Sequence, residues 1–151
     1  MSHQLNHSLE NFLGRYGWDY VKKNEQRLVT GWQGENRSYP LHIEVNDTWI
    51  SFKVQPFLKL DIDWDSWPEI AMHLMELNDG TSMVKLSIDS DGRIILNLDI
   101  FVDDLSFERF SNVLGVIGHY ADSLYDDLLT VLDNVCLLYT SPSPETRHDL
   151  V

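Results

Sequence analysis

Five aspartates stand in two short alternating runs, a spacing that could bind calcium. Asp61, Asp63 and Asp65 open like a calcium loop, which draws oxygen ligands from alternate positions. Counted from Asp61, such a loop needs Gly in sixth place and Glu in twelfth, and the chain has Ser66 and Met72 there. An acidic connector feeding a helix N-terminus, where negative charge is favourable, accounts for the run better. Asp89, Asp91 and Gly92 invite the same thought. With Gly92 in sixth place the twelfth is Leu98, an apolar strand residue, and a tight hairpin turn explains these residues without a metal.

The central histidines, His42, His73 and His119, lack His-Glu-x-x-His spacing, and none pairs with a Cys at metal-ligand spacing. Each falls on a strand or helix, where a surface or hydrogen-bonded histidine is the commoner state. No Gly-x-Ser-x-Gly, P-loop or Gly-x-Gly-x-x-Gly occurs. Carboxylates are abundant, but abundance alone does not make a general acid/base pair. The residues therefore nominate no catalytic, cofactor-binding or metal-binding position. A carboxylate-dependent hydrolase would require two or more acidic groups to converge in a pocket with depth.

The aromatic and thioether residues point to binding. Trp32, Trp49, Trp64 and Trp67 fall around the first group of strands and the second helix, with Met72 and Met75 close behind. Core packing is the ordinary use of tryptophan. The alternative is a partly exposed apolar face that receives a partner's helix or strand, with the methionines as adaptable contacts. On that reading these six residues are the candidate partner-binding set.

The elements that must position them follow from periodicity. Ser8 suits a helix N-cap; Leu9, Phe12, Leu13 and Tyr16 recur at helical spacing, and Gly17 suits a left-handed C-terminal position, so a helix is expected over about 8–16. Arg27–Gln33 reads as a strand. Leu41, Ile43 and Val45 alternate with polar residues, and so do Ile50, Phe52 and Val54, giving two more strands, with Pro56 helping to end the last. Ser66-Trp67-Pro68-Glu69 predicts a second helix, with Ser66 capping and Glu69 at the capping-box position. Val84–Ile88 and Ile94–Ile100 alternate around Asp91-Gly92, a strong hairpin signal. Apolar residues from Phe107 to Val131 then keep helical spacing for about seven turns. The expected fold class is α+β, ordered α-β-β-β-α-β-β-α, with an antiparallel sheet packed against helices.

The 151 residues suit one domain, and a chain of that size buries roughly 70% of its unfolded surface. Eleven basic against 24 acidic residues give a formal charge of -13. Such a chain repels phosphate backbones and anionic lipid, which argues against nucleic-acid and membrane partners, and it attracts basic or amphipathic ones. No apolar run approaches the ~20 residues of a membrane span, and no secretory signal opens the chain. A single cysteine, Cys136, excludes an internal disulfide. The expected location is the cytoplasm.

From about Phe12 to Leu129 the chain resembles the YbjN family, bacterial domains related in fold to type III secretion chaperones. The resemblance is carried by Trp18-Asp19-Tyr20, Tyr39-Pro40-Leu41, Trp49-Ile50-Ser51-Phe52, Leu77-Asn78, Val84-Lys85-Leu86, Asp91-Gly92-Arg93 and Phe107-Glu108-Arg109-Phe110, and it continues to His119-Tyr120-Ala121-Asp122 and Tyr125. It implies a helix–sheet sandwich that pairs into homodimers and a non-enzymatic, regulatory or chaperone-like role in binding a protein segment. A dedicated type III secretion chaperone is the alternative within the same resemblance, and no catalytic residue or cofactor comes with either.

The text changes character at Cys136. Residues 136–144, Cys-Leu-Leu-Tyr-Thr-Ser-Pro-Ser-Pro, resemble one reading frame of a transposase adapter used in sequencing libraries. That frame continues with Arg-Asp, whereas this chain has Glu145-Thr146. The resemblance implies a domain over 1–135 and a non-native tail over 136–151.

Overall fold

The computed structural model describes residues 2–35, 37–60 and 63–139. Helix α1 (Ser2–Tyr16) leads into four strands: β1 (Val21–Asn24), β2 (Arg27–Gln33), β3 (Ser38–Val45) and β4 (Trp49–Lys59). A short 3-10 turn (Trp64–Ser66) opens α2 (Trp67–Asp79); β5 (Lys85–Ile88), β6 (Arg93–Phe101) and the long α3 (Phe107–Tyr139) follow. The strands form one antiparallel sheet in the order β1-β2-β3-β4-β6-β5.

Period-2 alternation makes this sheet one-sided. Leu41, Ile43 and Val45 pair with Val54, Phe52 and Ile50, and these pair onward with Leu96, Leu98 and Ile100. All nine are buried. The residues between them, His42, Glu44, Ser51, Lys53, Gln55, Asn97 and Asp99, are half-buried or exposed on the opposite face. The helices cover the apolar face. Along α3, Phe110, Val113, Ile117, Leu124, Leu128, Leu132 and Val135 are buried in a continuous stripe, and α1 adds Leu9 and Leu13. Each such side chain contributes about 1.5–3 kcal/mol on burial.

Aromatic rings join the layers. Phe12 meets Phe107 and Phe110 at 5.6 and 5.7 Å, and Phe57 stacks on Tyr39 at 5.7 Å. The Tyr39 hydroxyl donates to the Ala121 carbonyl at 3.3 Å, and its pKa is pushed up to about 12, by burial first and then by the Asp122 carboxylate. Asp122 also accepts the Glu35 N–H at 3.0 Å, tying the β2–β3 turn to α3.

The α+β class and the antiparallel sheet against helices match the sequence reading, with four differences of detail. The sheet gains β1, four exposed residues with no alternation to announce them. α1 begins at Ser2 rather than near Ser8, because its buried face continues through Asn6. Pro56 does not end β4. The ladder with β6 instead shifts register between Val54 and Leu58, which accommodates a residue without an N–H. Ser66 makes no side-chain capping bond, because it lies in the 3-10 turn with a helical backbone. Two expectations are met in detail: Gly17 ends α1 at φ +87°, and Gly92 takes φ +77° in the β5–β6 hairpin.

Candidate partner-binding groove

The 3-10 turn and the first two turns of α2 face the β5–β6 hairpin across a groove of about 500 Å³. Trp64, Asp65, Trp67, Pro68 and Ala71 line one wall, and Ile88, Asp89, Ser90 and Gly92 the other. Local sequence explains the wall. Pro68 is tolerated in the first turn of α2, where its missing N–H has no intrahelical partner to lose. The 3-10 turn before it throws the Trp64 side chain outward, 82% exposed, while Trp67 packs inward. A side chain at position 92 would stand 3.8 Å from the Trp67 ring, so glycine there keeps this part of the groove open.

The apolar surface continues along α2. Pro68, Ala71, Met72 and Met75 fall on one face at i, i+3, i+4 and i+7. Met72 and Met75 are 66% and 73% exposed. Four of the six residues nominated from sequence, Trp64, Trp67, Met72 and Met75, therefore belong to one surface. The other two lie elsewhere. Trp32 is half-buried, stacked on Trp18 at 5.8 Å and against Tyr39 at 5.1 Å. Trp49, 40% exposed, stacks on Phe101 at 4.4 Å at the far end of β4 and β6.

Asp89 is a turn-former. Its Oδ1 accepts the N–H groups of Asp91 and Arg93, both at 2.9 Å, and its Oδ2 accepts Arg93 Nε at 2.9 Å and Gln55 Nε2 at 3.4 Å. Burial acts to raise its pKa, but the bonds from Arg93 and Asp91 together outweigh that and hold the carboxyl below its ordinary value. With both oxygens engaged and the charge neutralised by Arg93, it is poorly suited to accept a proton from a substrate. Asp65, across the groove, forms no ion pair among the described residues.

Asn78, which enters the sequence reading only in the Leu77-Asn78 pair of the family resemblance, has a larger role. Asn78 Nδ2 donates to the Leu86 carbonyl at 3.0 Å, and its Oδ1 accepts the Leu86 N–H at 2.7 Å. These are outward groups of β5, an edge strand, and one side chain occupies both. An Asn before a hairpin hints at this only once β5 is known to lie at the edge.

The histidines are dispersed. His42 lies on the open sheet face, where Arg27 donates to its Nδ1 and its Nε2 donates to the Gln55 carbonyl at 3.1 Å. Burial foremost, and then the Arg27 guanidinium, lower its pKa. His73 is 3.8 Å from Glu76 on α2, and His119 packs on Tyr120 in α3. Asp61 of the calcium-like run lies outside the described residues, while Asp63 and Asp65 flank Trp64. Among the described residues no three His, Cys, Asp or Glu side chains group to hold a metal. No described helix is long and apolar enough to cross a membrane.

Comparison with known proteins agrees with the fold. The YbjN family profile, described as "Putative bacterial sensory transduction regulator", matches residues 7–130. The crystal structure of YbjN from E. coli superposes with a TM-score of 0.53 at 13% identity, over 85% of this chain and 89% of that one. The Yersinia pestis type III secretion chaperone SycH, in complex with a fragment of YscM2, gives 0.45 at 16% identity, over 87% of this chain and 99% of that one. No curated protein sequence matches.

Proposed function

Because the chain belongs to the YbjN family, we propose that it acts in the cytoplasm as a non-enzymatic binding domain, holding a protein segment in a regulatory or chaperone-like role. The observation that carries this reading is the continuity of the groove with the methionine stripe. Trp64, Trp67, Pro68, Ala71, Met72, Met75 and Ile88 form one apolar surface, yet Trp64, Met72 and Met75 stay largely in water. Exposed apolar area of that kind marks interaction sites, and flexible methionines adapt to a partner's shape.

Selection of peptides from a random display library on the immobilised chain tests the reading. Peptides selected by the wild type lose binding to Trp64→Ala/Met72→Ser, and circular dichroism shows that variant still folded. If the variant retains the same peptides at the same affinity, the groove is not the site.

The reading includes a homodimer, as the family resemblance implies. The support is an exposed aromatic pair, Trp49 on Phe101. It stands at the opposite end of β6 from the groove, about 26 Å away at about 3.3 Å per residue. A second copy covering that end would leave the groove free. Sedimentation equilibrium of the wild type and Trp49→Ser decides this: a dimer that Trp49→Ser dissociates is expected, and a monomeric wild type rules it out.

A further inference from the structure

We infer that the segment held in the groove is a basic amphipathic helix that docks through side chains and does not add a strand to the sheet. The inference rests on the groove being the partner site and specifies what occupies it.

The first ground is the edge of the sheet beside the groove. An incoming strand would pair with the outward N–H and C=O groups of β5. This edge is only four residues long, and at Leu86 both groups are already held by Asn78. Strand addition across Leu86 would have to break two short hydrogen bonds, which leaves only Ile88 of this short edge to pair freely. The apolar stripe along α2 needs no such step. Its two turns, from Pro68 to Met75, span about 10 Å, a length that a partner helix of three or four turns covers with its own apolar face.

The second ground is charge. Between positions 63 and 93 the chain carries seven carboxylates and two cations, Lys85 and Arg93. Both cations are engaged. Lys85 Nζ donates to the carbonyls of Asn78 and Thr81 at 2.9 and 3.0 Å, and Arg93 pairs with Asp89 and Asp91. Asp63, Asp65 and Glu69, in and beside the groove wall, have no ion-pair partner among the described residues. Arg93 neutralises Asp89, and Lys59 stands in register with Arg93 on β4, yet the carboxylates around the apolar floor still outnumber the cations. A partner whose apolar face fills the groove and whose flanks carry Lys or Arg matches both features, whereas an acidic partner would meet like charge.

Three synthetic peptides of equal length and apolar content test this by titration calorimetry against the full chain. One is an amphipathic helix with Lys and Arg on its polar face, the second has Glu at those positions, and the third carries the basic residues in period-2 alternation. The basic helix is expected to bind at least about tenfold tighter than either of the others. It should weaken about tenfold between 50 mM and 500 mM salt, as screening shortens the reach of the carboxylates. Asp65→Asn/Glu69→Gln should weaken it several-fold, and Trp64→Ala/Met72→Ser should abolish it with an unchanged urea midpoint. If the acidic or alternating peptide binds as tightly and Trp64→Ala/Met72→Ser still abolishes binding, the groove stands as the partner site and the basic-helix inference falls. If Trp64→Ala/Met72→Ser leaves all binding unchanged, the groove reading itself fails. If no peptide binds and a dimer dissociates on Met72→Ser/Met75→Ser, the occupant is a second copy and the inference is overturned.

Discussion

The side-chain amide of Asn78 closes a two-bond clamp on the backbone of Leu86, accepting its N–H at 2.7 Å and donating to its carbonyl at 3.0 Å. A helix side chain thereby takes the place a seventh strand would occupy. Sheet edges left unpaired template association with other chains, and this contact blunts one beside the groove. Asn78→Ala should therefore cost about 1–3 kcal/mol, since Leu86 loses both partners, and should raise self-association. Urea denaturation measures the first effect and sedimentation velocity the second. An unchanged midpoint would show that the clamp contributes little.

Asn6 presents the opposite case. Its side chain is 1% exposed on the inner face of α1, and neither of its polar atoms has a hydrogen-bond partner among the described residues. Burying an amide unpaired costs roughly 1–3 kcal/mol, and leucine has the same branched shape without the polar atoms, its methyls being somewhat bulkier. Asn6→Leu should raise stability by about that amount in a urea titration. A loss of stability would mean that the amide is paired in solution.

Histidine 42 sets the response to mild acid. Its folded pKa lies below the unfolded value, chiefly through burial. Below about pH 6.5 the unfolded chain therefore binds more protons than the folded one. Its contribution to stability is complete above that pH and declines as pH falls through the window down to the folded pKa. His42→Gln should flatten the stability profile below about pH 6.5, measured as urea midpoints at each pH. Identical slopes in variant and wild type would remove His42 as the cause.

The far end of α3 is part of the core. Leu132 and Val135 are buried, four turns and more beyond Ile117. Leu132→Ala should cost about 2–5 kcal/mol. We propose that the domain ends with this stripe, over 1–135, and that 136–151 is a non-native tail. A chain stopped after Val135 should then keep its urea stability within about 0.5 kcal/mol. A large loss on truncation would show that the tail supports the fold.

How much of this was legible in the sequence follows from which interactions are local. The alternation of Leu41, Ile43 and Val45 and of Ile94, Leu96 and Leu98 marks strands because one sheet face is buried along its length. The Asp91-Gly92 turn declares itself through the φ that Gly92 adopts. β1 escaped because its four residues are all exposed, so no pattern was imposed on them. Ser66 looked like a cap because sequence shows the residue type and not its backbone, which a preceding 3-10 turn made helical. The tryptophans show the limit most plainly. Trp32 and Trp64 are the same residue type, yet one is packed between Trp18 and Tyr39 and the other stands in water. Only the packing of distant elements separates them. Asn78 was missed for the same reason, since its role depends on β5 lying at the edge.

The central claim is that the Trp64–Met75 surface is where a partner binds. Four methionines and five tryptophans make the chain well suited to methyl and indole NMR, with few signals to resolve. Titrating a display-selected peptide should shift the Met72 and Met75 methyls and the Trp64 and Trp67 indoles, leaving those of Trp18 and Trp32 in place. Shifts confined to Trp18, Trp32 or Trp49, with Met72, Met75 and Trp64 unmoved, would contradict it.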